Sequence, residues 1–559
     1  MASAKFTIGI DFGTESARAV LVNVRTGEEL ATAVHNYADG VIDEKLPGAT
    51  RRLDPDTALQ NPLDYVESLK KTVPAVLKIA RVKSDDMIGV GTDFTACTVV
   101  PCKRDGTPLM ALKEFRKNPH AWVKLWKHHA AQPEADRLNE VARQRSEPWL
   151  RFYGGKISSE WLFPKIWQVL NEAPDVYAAA DRFIEGADWI IWQLTGVEKR
   201  NSCTAGYKGI WDKHTGYPAN DFFKALDPRL ERVVDEKLMR DITPLGQKAG
   251  EVTEKMAALT GLRAGTAVAI GNVDAHVSVP AVTVTDVGKM VMIMGTSICH
   301  MVCGREKVAC EGMCGVVEDG ILPGLWGYEA GQSGVGDIFA WYVNNGVPAP
   351  YEAEARKRKI GVHQLLEEKA ARLKIGENGV LALDWFNGNR SILVNANLTG
   401  LLVGMTLGTR PEHIYRALIE ATAFGTYKII ENFHRNGVPV NEVYCCGGLP
   451  EKNRLLMQIY SDVTGREMRV GRSAQAGALG AAMFAAVAAG AARGGFDTIQ
   501  EAAARMAGLK RDVYRPNKER HAQYAELFRE YEILHDYFGR YQNPLMRTLK
   551  ALRERAHGE

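Results

Sequence analysis

IGIDFGTESARAVLVN, residues 8–23, reads as strand, tight turn, strand. Ile8 and Ile10 alternate with small or polar neighbours, and residues 19–22 form a second short apolar run. Between them lie Asp11, Gly13, Thr14, Glu15 and Ser16. Gly13 permits a sharp turn in which successive backbone N–H groups face one point, and such a nest attracts an anion. Thr14 and Ser16 add hydroxyls, and Arg18 adds a cation. Asp11 ends a strand, where a carboxylate can hold a metal through water. Such a hairpin can cradle phosphates. It can equally be an ordinary hairpin with a polar turn, and this stretch alone does not choose.

The plan recurs. Residues 291–302, VMIMGTSICHMV, run apolar strand, Gly295-Thr296-Ser297, apolar strand. Two such hairpins far apart point to two halves of like architecture facing one cleft. A third element, VYCCGGLPEKNRLLMQIYSDVTGREM at 443–468, reads as strand, Gly447-Gly448 turn, then a helix carrying Asn453, Leu456, Met457 and Asp462. On these elements the chain resembles the FGGY carbohydrate kinases, which belong with actin, hexokinase and the heat-shock ATPases. The resemblance extends over residues 6–490. It implies an α/β fold of two ribonuclease-H-like domains around a central cleft. The implied division is 1–280 for sugar and phosphates, 281–510 for nucleotide, and a helical extension over 511–559.

The resemblance also implies roles. Gly13, Thr14, Ser16 and Arg18 from one hairpin, and Gly295 and Thr296 from the other, would grip the β- and γ-phosphates of ATP. Gly331 and Gly336, in GYEAGQSGVGDIFAWY at 327–342, would approach the nucleotide with backbone, and Gly447, Gly448 and Asn453 would hold the adenosine. Mg²⁺ would be held in part by Asp11, with Asp274 beside it. Asp274 itself matches the family's catalytic base, in GTAVAIGNVDAHVSVP at 265–280. Read without the family, Asp274 follows a strand and starts a helix, so it also suits an N-cap. Asp93, Thr95, Ala96, Lys208, Asp274 and Glu329 would meet the sugar. A plain polar turn at 93–96, and a Lys208 salt bridge to Asp212 or the surface, are the alternatives. The GTDFTAC loop at 91–97, the YKG segment at 207–209 and the length most resemble members acting on L-ribulose in L-arabinose breakdown, with D-ribulose or another pentulose or pentitol next. A nucleotide-driven conformational protein of the actin type would share the hairpins, but would leave Asp274, Lys208 and Glu329 without a task.

Bulk properties narrow the field. The chain has 559 residues, 46% hydrophobic and 25% charged, as in ordinary globular proteins of several domains. A net charge of +3 gives no field for nucleic acid or an anionic membrane. The opening MASAKFTIGID enters a strand without a signal-peptide pattern, so a cytoplasmic location is expected. AGALGAAMFAAVAAGAA at 476–492 is short and weakly hydrophobic for a membrane span, and reads as a helix packed close against a sheet. Nine cysteines suit a reducing compartment. Cys299, Cys303, Cys310 and Cys314 have poor spacing for zinc and read as small buried hydrophobes. Cys445 and Cys446 should point to opposite faces of one strand.

Other elements follow from periodicity. Residues 62–82 read as a helix and 87–91 as a strand. Residues 113–144, with His120, Trp122, Trp126, His128 and His129, read as a helix with a basic face. The spans 157–170, 176–195 and 410–433 also read as helices. Asp188 reads as structural. Asn387, Asn389 and Arg390 are placed near the cleft. Beyond residue 510 the pattern reads as helical to the end, with Tyr524, Leu527, Phe528, Tyr531, Leu534 and Phe538 forming an apolar stripe for the body or for a second subunit of a homodimer.

Overall fold

The computed structural model describes residues 4–540 and 543–557. Two sheets repeat one plan. In the first, the hairpin Phe6–Phe12 and Ser16–Asn23 continues antiparallel into Glu29–Asn36. On its other side Met87–Phe94 and then Ala267–Ala269 run parallel to Phe6–Phe12, and Lys248–Glu251 closes the edge. In the second, Gly288–Met294 and Ile298–Gly304 form the hairpin, and Trp326–Gln332 and Gly315–Glu318 extend it antiparallel. Val440–Cys446 and Met468–Gly471 run parallel beyond Gly288–Met294. The expected pair of ribonuclease-H-like units is therefore present, and it places both glycine turns at matching sheet ends.

One helix ties the halves together. Ala476–Ala489 lies in sequence between two strands of the second sheet, Met468–Gly471 and Leu509–Tyr514, but packs on the face of the first. Glycines on neighbouring strands make this possible. A Cβ on Gly9 would lie 1.7 Å from the Ala478 carbonyl oxygen, one on Gly91 2.0 Å from that of Ala481, and one on Gly89 2.4 Å from that of Ala485. Gly9 and Gly91 are register partners, so the three form a flat patch for an alanine-rich helix. Glycine weakens a strand, and close backbone approach is the reason it persists here. The same helix crosses Asp274–Ala281, where a Cβ on Gly480 would lie 1.9 Å from the Val277 carbonyl oxygen. Among the described residues no helix is long and apolar enough to cross a membrane.

Several expectations from periodicity give way to tertiary context. The span 176–195 is not one helix: Pro174–Ala179 ends, Arg182–Glu185 forms a strand against Val99–Cys102, and Gly186–Thr195 resumes. Phe183 and Ile184 are buried there, which a short apolar run cannot announce as strand. In 113–144 only Gln132–Gln144 is α-helical. Before it the short strand Val123–Lys124 places Lys124 inside, with its ammonium against His120 and His128. Beyond residue 510 the chain first completes an edge strand, Leu509–Tyr514, before the helices Lys518–Gly539 and Leu545–His557. The aromatic stripe packs on the body: Tyr524, Phe528 and Tyr531 surround Phe424 with ring centroids 6.2, 5.9 and 5.4 Å away. Cys445 and Cys446 do serve opposite faces, each in a different hydrophobic core, and Cys303 and Cys310 are likewise divided between the two.

If the helix-to-sheet contact governs the fold, Gly9→Ala should destabilise the protein by about 3 kcal/mol or more, since overpacking against backbone cannot relax. Gly361→Ala, where no atom lies within 4 Å of the added methyl, should cost less than about 1 kcal/mol. Paired thermal melts decide this, and equal melting temperatures would contradict it.

Candidate functional site

Three carboxylates converge at the ends of adjacent strands in the first sheet. Parallel pairing sets Asp11 beside Asp93, and Asn272 on the other side of Asp93. Asp93 belongs to the strand Met87–Phe94 rather than to the loop after it, and is fully buried. Both of its carboxyl oxygens are buried without a hydrogen-bond partner, with Asp11 as the register neighbour. Burial, then the charges of Asp11 and Asp274, raise the Asp93 pKa well above the carboxylate range. Gly477, in the first turn of Ala476–Ala489, comes against both: a Cβ there would lie 3.5 Å from Asp93 Oδ1 and 3.8 Å from Asp11 Cγ.

Asp274 is the first residue of its helix, not the cap; Val273 occupies that position. Its Oδ1 accepts the Ala275 N–H at 2.7 Å. Burial and the Asp11 charge push its pKa up to about 7, against the lowering effect of the Ala275 N–H. The side chain nevertheless keeps partial exposure. A carboxylate tuned near neutral pH, anchored on one oxygen and open on the other, is equipped to accept a proton.

Facing it is a buried ion pair. Lys208, in the last turn of Ser202–Gly209, lies 2.9 Å from Glu329 Oε2 of the strand Trp326–Gln332, with both side chains 3% exposed. The expected alternative partner, Asp212, is instead paired with Lys307 at 2.6 Å. Glu329 also accepts from Arg390, and His276 Nε2 lies 3.4 Å from its Oε2. Burial alone would raise the Glu329 pKa, but Lys208, His276 and Arg390 outweigh it and hold the carboxyl far below its usual range. Burial likewise opposes the Lys208 charge, yet Glu329 holds its pKa above the ordinary lysine value. The helix carrying Lys208 reaches the second sheet because Gly206 has no side chain: a Cβ there would lie 2.3 Å from Val317 Cγ1.

The two glycine turns are built alike. The Gly13 N–H donates to the Ser16 carbonyl at 3.0 Å, and the Gly295 N–H to that of Ser297 at 2.9 Å. Thr14 is steadied by Gln60 Nε2 on its carbonyl at 2.6 Å and by Trp126 Nε1 on its Oγ1 at 3.1 Å. Arg18 pairs across the hairpin with Asp11. Thr296 is exposed, with its carbonyl accepting the Val335 N–H at 2.8 Å. Gly336 and Gly447 press on the second hairpin from different elements: a Cβ would lie 2.6 Å from the Gly295 oxygen in the first case and 2.4 Å from the Met294 oxygen in the second. Gly448 stays exposed. Asn453 caps the helix Arg454–Thr464 through its side-chain oxygen, 2.8 Å from the Leu456 N–H. Gly331 is buried under Arg390, with its N–H donating to Ser391 Oγ at 3.2 Å. Thr95 is buried with Oγ1 at 3.0 Å from Thr98 Oγ1, and Ala96 is partly exposed beside it. Asp188 is structural: its Oδ1 accepts from Asn201 backbone N–H at 3.0 Å and Nδ2 at 2.7 Å.

His276 and Trp126 stand in this site, although the sequence pattern assigns neither a role there: His276 goes unnamed, and Trp126 reads as part of a basic helix. His276 is 1% exposed and packs on Tyr207 at 4.4 Å. Its position two residues after Asp274, among valines, resembles core. Trp126 lay in a stretch whose charges suggested a solvated helix.

Residues 6–279 match the FGGY family of carbohydrate kinases, N-terminal domain, and residues 290–489 its C-terminal domain. Ribulokinase of Halalkalibacterium halodurans is 58% identical over 99% of this chain and 99% of its own. Ribulokinase of Mycolicibacterium smegmatis is 51% identical, covering 99% and 97%. Among solved structures, xylulose kinase from Rhodospirillum rubrum aligns with a TM-score of 0.77 at 21% identity, covering 95% of this chain and 98% of its own, which speaks to fold alone. Two matched domains spanning most of the sequence, with full-length relatives this similar, establish that the chain belongs to the FGGY family of carbohydrate kinases.

Proposed function

We propose that this kinase transfers the γ-phosphoryl group of ATP to the primary hydroxyl of L-ribulose, giving L-ribulose 5-phosphate, with D-ribulose and other pentuloses or pentitols served less well. The observation that carries the reading is Asp274, tuned near neutrality and partly exposed, within electrostatic reach of both Asp11 and the Lys208–Glu329 pair. The relatives named ribulokinase support ribulose as the sugar.

Phosphoryl transfer asks a protein for positioning, charge neutralisation and a proton acceptor. Asp274 would accept the hydroxyl proton. Lys208, held by Glu329, would donate to a sugar hydroxyl, and the 93–96 segment with Ala96 would wall the pocket. The Gly13 and Gly295 hairpins, with Thr14, Ser16, Arg18 and Thr296, would bind the phosphates. Closure of the halves over the substrates would exclude water. Mg²⁺ favours hard oxygen donors and keeps several waters, using one or two carboxylates plus substrate phosphates. Asp11, with Asp274 beside it, fits that description. Among the described residues no group of three or more His, Cys, Asp or Glu side chains is placed to hold a metal ion. When bound, the ion would neutralise and orient the phosphates. An actin-like conformational role would give the buried pair and Asp274 no chemistry.

Asp274→Asn should fold and bind both substrates but lose at least about 100-fold in turnover, the contribution of a positioned base. Steady-state rates beside a melting curve test this, and near-normal turnover would sink the assignment. Lys208→Met should weaken L-ribulose use by about 10-fold or more, as for a lost charged hydrogen bond, with little change in KM for MgATP. An unchanged sugar preference would remove Lys208 from the pocket. Thr296→Ala and Asp11→Ala should instead impair MgATP use while sugar binding stays nearly intact. If both turn over like the parent, the hairpins are not the phosphate site.

A further inference from the structure

Behind the second hairpin a file of buried polar groups leads to the C-terminal helix Lys518–Gly539, which lies beyond both family-matched segments. His300 Nε2 lies 3.1 Å from Thr426 Oγ1. The Thr426 hydroxyl donates to Gln332 Oε1 at 2.8 Å. Gln332 Nε2 donates to Asp384 Oδ2 at 2.7 Å and to the Thr422 carbonyl at 2.9 Å. The Tyr531 hydroxyl donates to Asp384 Oδ1 at 3.1 Å. All five side chains are buried.

The Thr422 carbonyl can only accept, so Gln332 turns its amide NH₂ toward it and Asp384, and its oxygen toward Thr426. Thr426 has one proton, given to Gln332, so His300 donates from Nε2. The backbone makes room for the file. Gly425 sits inside the 25-residue helix Pro411–Arg435, where glycine is a poor helix former. A Cβ there would lie 2.5 Å from Gln332 Nε2 and 2.7 Å from Asp384 Oδ2.

The file reaches the hairpin through its second strand and through the strand paired with that one. His300 is in Ile298–Gly304, the strand that leaves it. Gln332 ends its own strand, and the residues after it clasp the turn: the Val335 N–H donates to Thr296 O at 2.8 Å and the Gly336 N–H to Gly295 O at 3.2 Å. We propose that Tyr531 is a positioning residue for phosphoryl transfer: through Asp384, Gln332, Thr426 and His300, the C-terminal helix fixes the Gly295-Thr296-Ser297 turn in its ATP-binding geometry. The inference rests on reading that turn as a phosphate site.

The test is a double-mutant cycle on the full chain. Tyr531→Phe keeps the ring and removes only the hydroxyl; Thr426→Val removes the central hydroxyl, and Thr426→Ser restores it. Tyr531→Phe and Thr426→Val should each raise KM for MgATP by roughly 2- to 30-fold, the range for residues that couple a site without touching its ligand. KM for L-ribulose at saturating ATP should stay within about twofold of the parent, the sparing expected of a coupling confined to the nucleotide side. Thr426→Ser should resemble the parent. The double variant should fall short of the product of the single effects. An unchanged KM for MgATP in folded Tyr531→Phe, equal rises for both substrates, or independent effects would overturn the proposal. Should Tyr531→Phe fold poorly, Asp384→Asn is read in the same way. Thr296→Ala separates the two readings. If it leaves KM for MgATP unchanged, the phosphate site is misplaced; if it raises KM while Tyr531→Phe does not, only the role of Tyr531 fails.

Discussion

Lys208 and Glu329 meet at 2.9 Å from opposite halves of the chain, each only 3% exposed. Burying two charges costs several kcal/mol per ion before their attraction returns any of it, so such a pair is poor evidence of stability by itself. What it does supply is geometry. Glu329 is also held by Arg390 and approached by His276, so its carboxylate has little freedom to turn. Lys208 is thereby fixed beside Asp274 rather than left to seek solvent. The halves must approach closely for this pair to form, and the Gly206 contact with Val317 provides that approach.

The second requirement is a joint between the halves that holds without locking. The helix Ala476–Ala489 lies on a glycine patch with only methyl groups and backbone between it and the strands. Its first turn abuts Asp11 and Asp93, so the joint and the acidic end of the sheet are one piece of structure. Burial of the carboxyls gathered there, and then their mutual charge, raises the pKa values of Asp93 and Asp274. Active sites commonly keep such strain because the charge pattern does the chemistry.

Much of this was legible from residues alone. The two hairpins show a period-two alternation broken by glycine, and short-range patterns of that kind survive folding. Residues 476–492 were legible as a packed helix because their composition is too weakly apolar for lipid. What escaped was set by distant partners. The strand Arg182–Glu185 is strand only because Val99–Cys102 pairs with it. Lys124 looked solvated until the fold buried it between two histidines. Asp93 looked like loop because the strand before it ran three residues further than its apolar run. The file through Gln332, Asp384 and Tyr531 joins residues separated by 52 and 147 positions, and no local periodicity encodes that.

The most direct measurement is sugar-dependent ATP consumption by the full chain against L-ribulose, D-ribulose, xylulose, ribitol and glycerol. The account predicts kcat/KM highest for L-ribulose, lower for D-ribulose, and lower still for the others, with little ATP turnover when no sugar is present. Faster turnover of glycerol or xylulose than of either ribulose, or ATP consumption indifferent to added sugar, would contradict it.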